Sequence, residues 1–103
     1  MRAVRVSVLV AVLLLAGHSS AYTECSDREI GYVLNDGQNT YLGPSSTGHL
    51  RGVIRNTNPQ YDQLIAIVLA ARVASLRVTI RYEQNDLNCS SIPWNATIVG
   101  VGL

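Results

Sequence analysis

The sequence predicts a small all-β barrel carrying one helix, and three observations lead there. Residues 58–74 read as a capped helix. A strictly alternating segment follows, with Leu76, Val78, Ile80 and Tyr82 on one side and Arg77, Thr79 and Arg81 on the other. Three strand-like runs precede the helix and one closes the chain, so the elements run strand, strand, strand, helix, strand, strand. That is the order of the OB-fold, a five-stranded Greek-key barrel with its helix between strands three and four. A small α+β sandwich with the same element order is the competing architecture.

The chain opens with a segment that reads as a cleaved signal peptide over residues 1–21. Arg2 and Arg5 form a basic start, residues 6–16 are apolar but too few to span a bilayer, and Ser19, Ser20 and Ala21 supply small residues at the cleavage position. Removal leaves residues 22–103 as one domain, expected to be secreted or periplasmic and not inserted in a membrane. A domain of that size buries only about 60–65% of its unfolded surface, so it is marginal alone. Cys25 and Cys89 are the only cysteines, and export favours their pairing as a disulfide.

The first strand is expected over residues 29–34, with Ile30, Tyr32 and Leu34 on one face. Asn35, Asp36, Gly37 and Gln38 form a turn, because Asp-Gly tolerates positive φ. Residues 39–42 return as strand two, residues 43–48 read as a loop, and residues 49–55 as strand three. Leu50 and Val53 fall on opposite faces there, and Gly52 marks a bulge or bend. Asn58 is expected to cap the helix, with Pro59 in its first turn and Asp62 at the positive end of the dipole. Strand four covers residues 76–82, a polar loop residues 83–93, and the last strand residues 96–103.

The helix divides into two sides. Tyr61, Leu64, Ile65, Val68, Leu69 and Arg72 share a broad stripe suited to plugging the barrel. The opposite side carries Gln63, Ala66, Ile67, Ala70 and Ala74, with only Asp62 charged near its edge. Exposed helix faces normally carry several charges, so this side predicts packing against the same helix of a neighbouring copy, closed by cyclic symmetry. The plainer reading is a modestly wet, alanine-rich helix.

Residues 22–103 hold six arginines, no lysine and seven acids, a net charge of −1 with neutral His. This lacks the basic footprint of a nucleic-acid binder or of docking to anionic lipid. His49, alone in a strand, reads as structural or solvent-facing, and no cofactor, metal or catalytic constellation is expected. The acid pairs Asp27/Glu29 and Glu83/Asp86 read as solvated loop charges, and Arg77 and Arg81 as a solvated or intersubunit ion-pair face. For saccharide recognition, which wants an aromatic platform beside planar polar groups, the candidates are Trp94 with Asn95, and Tyr41 with Gln38 and Asn39. The structural alternatives are that Trp94 caps the barrel end and Tyr41 packs between strands. Asn95-Ala96-Thr97 also fits the N-glycosylation pattern.

One resemblance adds to this reading. The run I-G-Y-V (residues 30–33), N-P-Q-Y-D-Q-L-I-A-I-V-L-A-A (58–71), V-T-I-R-Y (78–82), a following Cys89 and the ending I-V-G-V-G-L (98–103) resemble the small secreted OB-fold proteins related to the B subunits of AB5 toxins, nearest the subtilase-cytotoxin and pertussis-like type. The likeness covers the helix and the last two strands best. It implies a non-enzymatic subunit, a ring of five around a helix-lined pore, binding to a cell-surface glycan, and an enzymatic A subunit as partner. The chain is shorter than those subunits, and none of their sugar-binding residues is carried over. A secreted structural or protein-interaction module of the same fold, with no sugar site, is the alternative function.

Overall fold

The structure is a computed structural model that describes residues 21–46 and 48–103. The expected signal segment, apart from Ala21, lies outside the described residues. Among the described residues, six strands and one helix follow in the order β1 (Thr23–Arg28), β2 (Ile30–Asn35), β3 (Thr40–Pro44), β4 (Gly52–Ile54), α1 (Tyr61–Ala74), β5 (Val78–Tyr82) and β6 (Ile98–Gly102). They form two antiparallel three-stranded sheets, β1-β5-β6 and β2-β3-β4, which with the helix make an α+β fold. Among the described residues, no continuous ladder closes the sheets into the barrel the sequence predicts. Two links join them: β1 runs into β2 with only Glu29 between, and Val53 forms a single parallel bridge to Thr97. At that bridge the Val53 amide donates to the Ala96 carbonyl at 2.8 Å.

The alternation in β5 is realised as expected, since Val78, Ile80 and Tyr82 are all buried. Leu76 lies before the strand and is 48% exposed. Strand three is shorter than the expected residues 49–55: only Gly52–Ile54 is strand, with His49 exposed ahead of it and Leu50 in the core. Gly52 is required here, because its φ of 150° is left-handed and an added Cβ would meet the Ile98 and Tyr82 side chains.

The face assigned to the first strand is corrected. Ile30 is buried, but Tyr32 and Leu34 are 45% and 54% exposed. The β2–β3 register shifts between Ile30 and Tyr32. One extra residue in a period-two pattern moves every later side chain to the other face. Val33 therefore packs on the core, and Tyr32 and Leu34 turn outward. The strand ahead of the bulge, β1, was not anticipated; only Cys25 in it is buried.

The helix starts later than its sequence signals suggest. Its N-cap is Gln60, with no side-chain capping bond. The Asn58 side-chain oxygen instead accepts from the Gln60 amide at 2.8 Å, and its carbonyl accepts from the Tyr61 amide at 3.0 Å. Asn58 and Pro59 thus shape the turn before the helix. The helix ends in a Schellman motif at left-handed Ser75, where the Leu76 amide donates to the Ala71 carbonyl at 2.9 Å.

The core stripe of the helix is rotated from the expected one. Leu64, Val68 and Ala71 are buried, and Tyr61 and Ile65 pack partly against the core. Leu69 is 48% exposed, and Arg72 lies at the surface, where its Nε donates to the Gly31 carbonyl at 3.2 Å. At the other end the Tyr61 hydroxyl joins Thr40 Oγ1 (2.8 Å) and Asn35 Nδ2 (3.0 Å), satisfying the buried Thr40. Gln63, Ala66, Ala70 and Ala74 are exposed, Ile67 is half-buried, and Val73 is 86% exposed.

Cys25 and Cys89 form the disulfide, with Cα atoms 5.6 Å apart. It ties the long β5–β6 connection to β1, assisted by Arg28 donating to the Cys89 carbonyl at 3.1 Å and the Leu87 amide donating to Thr23 Oγ1 at 3.1 Å. A cross-link over this sequence separation stabilises by about 4 kcal/mol in the chain-entropy treatment. Across β1 and β5, Glu24 meets Arg81 at 2.8 Å, and Asp27 and Glu29 lie 3.5 and 3.8 Å from Arg77. The Asp27/Glu29 pair is thus engaged rather than merely solvated, and the two arginines pair within the chain. These contacts are exposed and add little stability.

Candidate functional site

The bulge that turns Tyr32 outward builds a surface cluster on the β2-β3-β4 sheet. The register sets Tyr32 opposite Gly43 and Leu34 opposite Tyr41, so these residues share the outer face, where Tyr41 also faces the fully buried Val53. An added Cβ at Gly43 would collide with the Tyr32 ring. The ring therefore lies across the Gly43 backbone, where only glycine leaves room for it. Trp94, 42% exposed, stands beside it with ring centroids 6.2 Å apart and planes tilted by 37°. The Arg51 guanidinium carbon sits 5.0 Å from the centre of the Trp94 ring, within cation–π range.

Each member is held from behind. Trp94 lies in a turn closed by the Ala96 amide donating to the Pro93 carbonyl at 3.1 Å, between buried Ile92 and buried Ala96. Arg51 lies between buried Leu50 and Gly52, and its carbonyl accepts a 2.6 Å bond from the Tyr82 hydroxyl. Burial pushes that hydroxyl up from its usual 10.0 to about 12, with the Arg28 charge opposing. Among the described residues, the carboxylates in ion pairs are taken by Arg77 and Arg81, and none lies within 4.0 Å of Arg51. The cluster thus presents two aromatic surfaces and a cation without a paired carboxylate. Such a surface can stack on the apolar face of a sugar ring and donate hydrogen bonds to its oxygens.

The two sets of residues that the sequence singled out lie at different places on this face. Trp94 belongs to the cluster, and Asn95 is exposed beside it. Tyr41 shares the outer face but lies two residues along β3 from Gly43, toward the hairpin turn, and is half-buried. Gln38 is at the exposed turn, where its amide donates to Asp36 Oδ1 at 2.9 Å. That oxygen also accepts from the Asn39 amide at 2.7 Å, and the Asn39 and Gln38 amides together hold the Asp36 carboxyl below its usual value. The Asn39 side chain accepts from the Asn56 amide at 2.9 Å and so ties the turn to the end of β4. Sequence reasoning missed Tyr32 and Arg51. The available signal for Tyr32 was a glycine at the facing position on the returning strand.

The Tyr82 hydroxyl gives a pH signature of the scaffold beneath Arg51. Its folded value lies above its unfolded value, so the native state holds a proton that the unfolded chain loses first. Stability is then complete below pH 10 and falls as pH rises toward about 12. Urea midpoints measured across that interval should decline, and the decline should flatten in Tyr82→Phe; an equal slope in the variant contradicts the burial of this hydroxyl.

No protein-family model matches the chain, and no significant match is found among curated proteins, so the reading of this surface rests on its geometry.

Proposed function

We propose that the chain is a secreted, non-enzymatic binding subunit of the OB type that assembles into a ring, with five copies as the resemblance implies, and recognises a cell-surface glycan. The observation that carries the reading is the Tyr32–Trp94–Arg51 cluster, two exposed aromatic rings with a half-buried guanidinium on a braced scaffold. Binding residues gain precision when packing and hydrogen bonds behind them fix their orientation. The sheet arrangement supports the OB reading: β1 and β2 follow each other with one residue between and feed both sheets, and β4 makes a single parallel bridge to Thr97, just ahead of β6. The disulfide supports an oxidising destination, in line with the leader expected over residues 1–21. An enzymatic A subunit would be the toxin-like partner of such a ring.

Ring formation rests on helix α1. Leu69, Val73, Ala66, Ala70 and Ala74 make an exposed apolar arc interrupted only by Asp62 and Gln63. A close-packed neighbouring helix removes that surface from water, and the small alanines allow near approach. The same arc favours one other reading, a protein-interaction module without a sugar site.

Two measurements separate these readings. On a glycan array, the chain starting at Tyr22 should bind a defined saccharide set, with Tyr32→Ala and Trp94→Ala each weakening binding by about tenfold, or roughly 1.4 kcal/mol. Absence of any glycan binding, or binding indifferent to both substitutions, removes the sugar reading. Light scattering at micromolar concentration should give a multiple of the chain mass that Ala70→Glu reduces to the monomer; a monomeric parent protein removes the ring.

A further inference from the structure

A cavity of about 500 Å³ opens beside the cluster, where the Gly31 bulge, the end of β3 and the C-terminal turn of α1 meet. Its walls include Glu29, Tyr32, Ser45, Ser46, Arg72 and Ser75. The volume lies within the range of small-ligand clefts, roughly 300–1,000 Å³. Those clefts are mostly apolar, whereas this one presents three serine hydroxyls, a carboxylate and a guanidinium. Hydroxyls beside both a fixed acceptor and a fixed donor match a polyhydroxylated ring better than a hydrocarbon.

Two details point to a ligand. The Ser45 hydroxyl oxygen is shielded from solvent and has no hydrogen-bond partner among the described residues. Native structures rarely leave such a group unpaired. The oxygen lies against the Gly48 turn, and rotation about the Cα–Cβ bond would bring it to a ligand in the cavity that supplies the missing partner. Arg72 is anchored through Nε on the Gly31 carbonyl, which leaves its terminal nitrogens to donate. No carboxylate pairs with Arg72 among the described residues, although Glu29 lines the same cavity. Glu29 pairs with Arg77 at 3.8 Å, so the Arg72 guanidinium stands in the cleft without a carboxylate of its own among the described residues.

Tyr32 connects this cavity to the surface already described, because it both lines the cavity and neighbours Trp94. We propose that the cavity is a second saccharide subsite, and that the ligand is an oligosaccharide crossing Tyr32. One sugar ring rests on Trp94 and Arg51, and an adjoining ring enters the cavity between Glu29, Ser45 and Arg72. The proposal rests on the glycan reading of the Trp94 surface and extends it: the minimal ligand has at least two sugar residues, and single sugars bind poorly.

The test uses an array of mono- to pentasaccharides, followed by titration of the tightest oligosaccharide and of its terminal monosaccharide. Binding is read through the fluorescence of Trp94, the only tryptophan. Arg72→Gln removes cavity donors, and Ser46→Phe fills the cavity from an exposed wall while leaving the Arg72–Gly31 bond in place. The expected result is at least tenfold weaker oligosaccharide binding in both variants, an unchanged Trp94 response at saturation, and at least tenfold weaker monosaccharide binding to the parent protein. Oligosaccharide affinity within twofold of the parent in either variant overturns the second subsite, and if Trp94→Ala abolishes binding on the array, where no tryptophan signal is needed, the glycan reading survives. An array empty at every length overturns both.

Discussion

The bulge at Gly31 is the constraint on which the rest of the molecule depends. Without it, β2 would keep the face that Ile30 sets, and Tyr32 and Leu34 would point into the core. Just ahead of it, at Glu29, the chain leaves the first sheet for the second, so a single stretch supplies both. The bulge sends Ile30 into the core and Tyr32 outward over Gly43. The Gly31 carbonyl also receives Arg72 and so fixes the end of the helix against the bulge. The aromatic surface, the neighbouring cavity and the seat of the helix all follow from one added residue in a two-residue period.

Around this point the chain braces a long connection that would otherwise be loose. The segment between β5 and β6 has no strand or helix of its own, yet Ile92 and Ala96 are buried and Cys89 is bonded to β1. Bonds from Arg28 and Leu87 add to that attachment, and the Val53–Ala96 bond fixes its far end. Trp94 therefore projects from a turn held at both sides. Ordering it in advance lowers the entropic cost of binding. The helix shows the opposite balance: its buried edge is narrow, and Leu69 and Val73 remain in water. A single copy of so small a domain leaves apolar surface that association would cover.

Much of the fold was legible in the sequence because it rests on periodicity. The alternation in β5 placed Val78, Ile80 and Tyr82 inside, and helix α1 ended at Ala74 as its pattern indicated. What was not legible rests on single-residue shifts and on tertiary fit. A bulge carries almost no compositional mark, so Tyr32 read as a core residue when it is half-exposed. β1 has one buried residue and little β-propensity, which hid the pairing of Glu24 with Arg81 and of Asp27 with Arg77. The helix stripe was correct near Leu64 and Val68 but centred too far toward Leu69, because the angle at which a helix meets a sheet is set by packing. At the candidate site, Trp94 was recognisable as a lone tryptophan in a polar loop, whereas its neighbours Tyr32 and Arg51 are joined to it only by the fold.

The most direct measurement is a two-dimensional amide and indole NMR titration of the chain starting at Tyr22 with the oligosaccharide that binds it best. The account predicts shifts concentrated at Tyr32, Gly43, Arg51 and the Trp94 indole, with Thr79, Arg81 and the other outward positions of β5 unmoved. Shifts that avoid the Tyr32–Trp94 surface, or a spectrum unchanged by every saccharide offered, would contradict it.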